Sequence, residues 1–211
     1  VARKHGDQRA TEAYDHLILS PGAKPFVPPI EGIAEAKNAF SLRNVPDLDN
    51  IMTVLDGEQP KEAVVIGAGF IGLEMAENLQ MRGVKVTIVE KAPHVLPPLD
   101  EEMAAFVKKE LEANNVRVIT SQSAVAFKDE GRTIVLEDGS ELTSGLTILS
   151  VGVTPENRLA QSAKIELGLR GGILVDENYE TSQKDIYAVG DAIVVKNQIT
   201  GEDALISLAS P

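Results

Sequence analysis

The sequence predicts an α/β fold in which a parallel sheet crossed by helices is joined to an antiparallel β-meander. Three observations carry this. Short apolar runs alternate with helical periodicity from residue 63 to residue 119. A Gly-x-Gly-x-x-Gly run sits at the first strand-to-helix junction of that stretch. After Thr120 the pattern changes to brief alternating runs separated by Glu130-Gly131 and Asp138-Gly139, which read as hairpin turns.

The elements are taken in chain order. Tyr14 to Ser20 reads as a short buried strand, closed by Ser20-Pro21-Gly22. Pro25 to Gly32 carries three prolines and reads as extended connector. A helix is expected over 46–55, with Asp47 and Asp49 near its positive N-terminal end. Ala63 to Ile66 is a strand, and Phe70 to Met81 a helix with Ile71, Met75 and Leu79 on one face. Val84 to Val89 is a second strand, completing a right-handed β-turn-α-β crossover. Residues 100–114 form an amphipathic helix presenting Met103, Phe106, Val107 and Leu111, and residues 116–119 return as a strand. In the second half, Ala124–Phe127 and Ile134–Leu136 build the meander, and 146–151 closes it. A short helix at 157–162 and strands at 173–175 and 186–189 complete the pattern.

Composition narrows the function. The 211 residues suffice for one good core or two small ones, and 43% hydrophobic with 25% charged residues argues against disorder. A formal net charge of −12 without a basic cluster excludes nucleic acid as a main partner, and equally an anionic membrane surface. The absence of cysteine rules out disulfides, thiolate metal sites and a cysteine nucleophile within these residues. There is neither a membrane-length apolar run nor a signal peptide, so a cytoplasmic protein is expected. The chain opens on Val1 and closes just after the apolar run 204–208, which reads as a piece of a longer protein.

The glycines carry the chemistry. In a strand–turn–helix context, Gly67 permits the tight turn and Gly69 lets backbone approach a pyrophosphate. Gly72 allows close helix packing, and the helix start beyond Ala68, Phe70 and Ile71 favours a diphosphate. This is a Rossmann-like dinucleotide-binding pattern. Glu90, ending the second strand, is placed to accept hydrogen bonds from adenosine ribose hydroxyls. A carboxylate there repels a 2′-phosphate, favouring NAD(H) over NADP(H), and Lys91 beside it softens the preference. Glu74 is either a first-turn acid complementing the helix dipole or a functional group. Phe70 either covers a nicotinamide-facing ring or packs in the core. His5, His16 and His94 are isolated and read as structural or surface residues, with no metal site.

With these residues in place, the chain resembles the FAD-dependent pyridine nucleotide-disulfide oxidoreductases. It is most similar to their branch of CoA-disulfide reductases, NADH oxidases, NADH peroxidases and persulfide reductases. Tyr14-Asp15-His16-Leu17-Ile18-Leu19-Ser20-Pro21-Gly22-Ala23 resembles the segment returning from the flavin domain, and Phe40-Ser41-Leu42-Arg43-Asn44 the entry into the NADH domain. Gly67 to Glu74 resembles the NADH loop, Val151-Gly152-Val153-Thr154-Pro155-Glu156-Asn157 the exit motif, and Tyr187 to Ala192 the second flavin motif.

The resemblance implies roles residue by residue. Gly190 and Asp191 belong to the flavin motif, with Asp191 on the FAD ribityl chain, and Ser20, Pro21 and Gly22 pass along the flavin nucleotide. Arg43 contacts FAD, and Leu208 and Ala209 press backbone against the isoalloxazine. Phe70 and Ile71 lie between nicotinamide and flavin, Glu74 faces the nicotinamide end, and Val151 and Gly152 line the NADH groove. The family's first FAD motif, its redox cysteine and its C-terminal interface domain have no counterpart here. The expected organisation is therefore an NAD(H)-binding domain over 33–184, flanked by partial FAD-domain segments at 1–32 and 185–211. The implied function is hydride delivery from NADH to FAD in a larger, homodimeric flavoenzyme, for reduction of a disulfide, persulfide, peroxide or O2. This chain alone is expected to be inactive. The alternative is a stand-alone NAD-binding or sensing module without redox activity.

Overall fold

The computed structural model describes residues 2–5 and 8–206, with side chains from residue 11 onward. The chain begins with β1 (Ala2–His5), β2 (Gln8–Thr11), β3 (Leu17–Leu19), β4 (Ala23–Pro25) and β5 (Ala39–Ser41). Next come α1 (Val45–Gly57), β6 (Glu62–Ile66), α2 (Phe70–Met81), β7 (Lys85–Val89), α3 (Glu101–Ala113) and β8 (Arg117–Ile119). After these lie β9 (Ala124–Lys128), β10 (Thr133–Leu136), β11 (Glu141–Thr143), β12 (Leu146–Leu149) and β13 (Val153–Pro155). The last elements are α4 (Arg158–Ser162), β14 (Ile173–Leu174), β15 (Ile186–Ala188), β16 (Ile193–Lys196) and β17 (Asp203–Ala204). Among the described residues no helix is long and apolar enough to cross a membrane.

The chain divides into two compact units, Pro25–Gly152 and the combination of Val1–Lys24 with Val153–Pro211. These boundaries differ from the expected 33 and 184, and hydrogen bonding explains why. Residues before 33 are tied to the central unit, because the Phe26 N–H donates to Gly152 O and the Phe127 N–H to Glu31 O. Residues after 152 leave it. The Glu156 N–H donates to Gly22 O, β14 pairs with β16, and Ile165 and Ile173 pack in one cluster with Leu19 and Ala188.

The central unit is built on a five-stranded parallel sheet in the order β5-β12-β6-β7-β8. Period-two alternation sends its side chains to two faces. Ala63, Val65, Val86, Ile88, Leu146 and Ile148 meet Ile51 of α1, Ala76 and Leu79 of α2 and Ala104 of α3. Val64, Ile66, Val89 and Leu149 meet Phe127, Ile134 and Leu136 of the antiparallel sheet β11-β10-β9. Strands buried on both faces read as near-continuous apolar runs, as β6 does from Ala63 to Ile66 and β12 does apart from the buried Thr147. Burying each large side chain of this kind stabilises by roughly 1.5–3 kcal/mol.

α1 begins in a capping box: the Asp47 N–H donates to Asn44 Oδ1 (3.1 Å), and the Asn44 N–H donates to Asp47 Oδ2 (3.0 Å). Asn38 fastens the meander, its Nδ2 donating to Ser144 O (2.8 Å) and Gly131 O (3.2 Å).

Three expectations are corrected. The run at 146–151 does not close the meander; β12 inserts between β5 and β6, and β11 closes the meander instead. α2 buries Gly72, Ala76 and Leu79, leaving Ile71 exposed, because small residues set the close approach of that helix to the sheet. On α3 Val107 and Leu111 pack against the core as expected, but Ala104 is the fully buried residue, while Met103 and Phe106 are 57% and 70% exposed.

In the second unit, β3 and β15 pair in parallel, Ile186 opposite Leu17 and Ala188 opposite Leu19. β13 pairs with β4, and β14-β16-β17 forms a three-stranded sheet. Their core joins Leu19, Ala160, Ile165, Ile173, Ile186, Ala188 and Ile193. Glu156 is buried beneath Arg158, whose Nε and Nη2 donate to its two carboxylate oxygens at 2.9 and 3.0 Å. Those hydrogen bonds hold the Glu156 carboxyl below the usual glutamate value, against the opposing pull of burial. A group depressed in the folded state stabilises above its unfolded pKa, and that contribution is lost as pH falls through the folded value. The melting temperature of Glu156→Gln is therefore expected below that of the parent at neutral pH. The gap should close as the pH is lowered past about 4, the ordinary glutamate range. A gap independent of pH would contradict the pairing.

Candidate functional site

The site lies at the C-terminal ends of β6 and β12. From β6 the chain adds β7 and β8 on one side, whereas β12 and β5 lie on the other, so strand order reverses between β6 and β12. Crevices of this kind, outside the carboxyl ends of strands at a reversal of order, are where open α/β sheets bind ligands.

Gly67 to Gly72 line one side of this crevice. The Gly67 N–H donates to Val89 O (2.8 Å), and its φ of +102° is a conformation that glycine tolerates best. A Cβ on Gly67 would collide with Ser150 O, and one on Gly72 with Gly67 O. Gly69 differs: its backbone is ordinary (φ −77°, ψ −177°), and a Cβ there would meet no atom within 4 Å. Among the described residues nothing requires glycine at position 69. α2 starts directly after it with no side-chain cap, and its first internal bond is from the Leu73 N–H to Gly69 O. The first-turn N–H groups thus point out of the helix with its positive end, an arrangement suited to an anion.

Glu90 comes directly after β7, beside this loop, and is 8% exposed. Its Oε2 accepts the Ala68 N–H and its Oε1 the Ala92 N–H, both at 2.7 Å. Each oxygen keeps further acceptor capacity, so the carboxylate can fix the loop and still receive hydroxyls. Lys91 is exposed next to it. Phe70 is 63% exposed, which removes core packing as the reason for an aromatic there; Ile71 beside it is exposed as well. Phe70 and Glu74 border a groove of about 480 Å³ between α2 and α3, with Leu73, Val107 and Leu111 among its other walls. Across the crevice, β12 runs into Ser150, the half-buried Val151 and the exposed Gly152.

A second convergence lies in the other unit. Because β3 and β15 are parallel, Ser20-Pro21-Gly22 and Gly190-Asp191 emerge at the same end of the pair. The Val189 N–H donates to Leu19 O (3.0 Å), and a Cβ on Gly190 would lie 3.8 Å from Ser20 Oγ. Arg43 belongs to the central unit, where its N–H donates to Asp47 Oδ2 (2.8 Å). Leu208 and Ala209 lie outside the described residues. His16 is exposed, with Nδ1 3.7 Å from Asp185 Oδ1, and His94 Nδ1 lies 2.9 Å from Val95 O. Among the described residues no group of three or more His, Asp or Glu side chains is arranged to hold a metal ion.

Residues 1–207 match the family model described as pyridine nucleotide-disulphide oxidoreductase. The chain belongs to that family. It is 40% identical over 195 residues to an NADH oxidase of Methanocaldococcus jannaschii, covering 91% of this chain and 43% of that protein. The structure of reduced Bacillus anthracis CoADR-RHD superposes with a TM-score of 0.93 at 48% identity, covering 96% of this chain and 36% of that one. An NAD-dependent persulfide reductase from A. fulgidus superposes with a TM-score of 0.90 at 34% identity, covering 96% and 38%. The chain thus spans less than half the length of these relatives.

Within this pyridine nucleotide-disulphide oxidoreductase chain, one residue at the crevice escaped sequence reasoning. Ser150 ends the strand facing the glycine loop, and its Oγ reaches Gly67 O at 2.9 Å and Ile66 O at 3.0 Å. The only signal in the sequence was its position, the first polar residue after an apolar parallel strand.

Proposed function

We propose that this chain is the NADH-binding portion of an FAD-dependent oxidoreductase, delivering hydride from NADH to FAD for reduction of a disulfide, persulfide, peroxide or O2. The observation that carries the reading is the uncapped start of α2 beyond Gly69, a glycine that nothing among the described residues requires, with the Glu90 carboxylate fixed beside it. The N–H groups of the α2 first turn bind the pyrophosphate, and Glu90 accepts the adenosine ribose hydroxyls. The same carboxylate disfavours a 2′-phosphate, giving preference for NADH, which the neighbouring Lys91 moderates. Phe70 and Ile71 offer exposed apolar surface to the ring systems, Glu74 stands at the nicotinamide end, and Val151 and Gly152 line the opposite wall. Ser20, Pro21, Gly22, Gly190 and Asp191 are assigned to FAD in one unit, and Arg43 is a further FAD-contacting residue in this reading.

Bound together, the nicotinamide and the flavin supply the hydride donor and acceptor. The protein's part is to hold them in register and to exclude water. No residue of this chain acts as a proton donor in that step. The whole enzyme is a cytoplasmic homodimer in this reading, and its remaining chain supplies the first FAD motif and the redox cysteine.

The purified chain is accordingly expected to bind NADH yet leave its absorbance unchanged when FAD and an acceptor such as O2 or CoA disulfide are added. Sustained NADH oxidation would overturn the assignment of a partial site. A stand-alone NAD-binding module would bind NADH with FAD having no effect even in the full-length protein. The convergence of Ser20 and Gly190 argues against it.

A further inference from the structure

We infer that Ser150 is a positioning residue for the dinucleotide, acting through Gly67; the inference rests on the NADH site proposed above. Ser150 extends the β12–β6 ladder by one residue, its N–H donating to Ile66 O at 2.8 Å. Its hydroxyl then sits 3.0 Å from Ile66 O and 2.9 Å from Gly67 O. A serine hydroxyl carries one hydrogen, so a single donor is shared between two carbonyls where strand gives way to glycine loop.

The contact continues into the helix. A Cβ on Gly72 would meet Gly67 O and would lie 2.6 Å from Ser150 Oγ. There is therefore no room for a side-chain carbon at Gly72 between the Gly67 carbonyl and the Ser150 hydroxyl. Fixing the carbonyl fixes the first turn of α2, whose N–H groups face the crevice. Glu90 restrains the same loop from the other flank, through the Ala68 N–H. Ser150 itself is anchored from its C-terminal side, where Gly152 O accepts the Phe26 N–H at 3.0 Å.

The loop is thereby ordered during folding and not at the expense of binding free energy. Ser150 makes its bonds to main chain and leaves the ligand to the α2 amides. Its effect is on the pyrophosphate, which NADH and NADPH share, whereas Glu90 acts where the two differ. This separates the two residues experimentally.

The test is calorimetric titration of the parent chain, Ser150→Ala and Ser150→Thr with NADH and with NADPH, together with hydrogen exchange of the Gly67–Gly72 amides. Ser150→Ala should bind both cofactors about tenfold more weakly, the loss of one hydrogen bond's worth of order, and by the same factor for each. Its loop amides should exchange faster. Ser150→Thr keeps the hydroxyl and should restore parent-like affinity. Three results overturn the inference alone: parent-like affinity in Ser150→Ala, a loss confined to one cofactor, or equal losses in Ala and Thr. Failure of the parent chain to bind any dinucleotide overturns the site, and this inference with it.

Discussion

Gly69→Val is expected to abolish dinucleotide binding while leaving the fold in place. The backbone at Gly69 lies in a region that valine adopts readily, and a Cβ there would touch no atom of the described residues. The cost to folding is restricted to replacing a tolerable N-cap residue by a poor one, about 1 kcal/mol or less. In the proposed reading the added branched side chain occupies the space that the pyrophosphate would take beside the start of α2. Affinity for NADH should fall more than about a hundredfold, equivalent to the loss of some 3 kcal/mol. Calorimetry paired with a melting curve checks both halves. Unchanged binding would mean the phosphate loop is misassigned, and an unfolded variant would mean position 69 supports the fold after all.

The second large effect is expected at Glu90. Glu90→Ala removes the ribose acceptor and the repulsion towards a 2′-phosphate at once, so NADH should lose about tenfold or more in affinity while NADPH loses less or gains. The structure adds a stability term that the sequence did not contain. Both carboxylate oxygens accept main-chain N–H groups, and Ala68 is fully buried. Leaving that amide unpaired costs about 1–3 kcal/mol, so the variant should also melt earlier. Lys91 is the exposed neighbour of the vacated position. Equal losses for the two cofactors would contradict the role assigned to Glu90.

The central crossover was legible because its signals are local. A four-residue apolar run, the glycines and a helical period fix β6, α2 and β7 nearly to the residue. The segments 20–22 and 190–191 stand out in the sequence only through family resemblance, and their convergence comes from one parallel strand pair. The features that were missed depend on pairing between distant residues. The run 146–151 reads as the end of the meander because it is the next apolar run after Ile134–Leu136, yet the partners of β12 are β5 and β6. β5 carries a single large apolar residue, the half-buried Phe40, and gives no periodic signal at a sheet edge. The inward face of α3 is half as expected: Val107 and Leu111 pack against the core, but Ala104 takes the most buried position while the larger Met103 and Phe106 stay exposed, because packing distance to the sheet, not residue hydrophobicity, chooses the buried position. Ser150 falls inside the run 146–151 and carries no local signal beyond that position, since its two acceptors, Ile66 O at the end of β6 and Gly67 O in the glycine loop, lie far earlier in the chain. Non-local bonding also sets the limit of the compact central unit at 152, since β13, which follows, pairs with β4.

The most direct measurement is calorimetric titration of the purified chain with NADH, then NADPH, then FAD. Micromolar NADH binding with weaker NADPH binding and no binding of FAD is the predicted result for the NADH-binding portion of a larger flavoenzyme. Tight FAD binding giving a yellow protein would contradict the partial flavin site, and absence of any dinucleotide binding would contradict the assignment of the glycine loop.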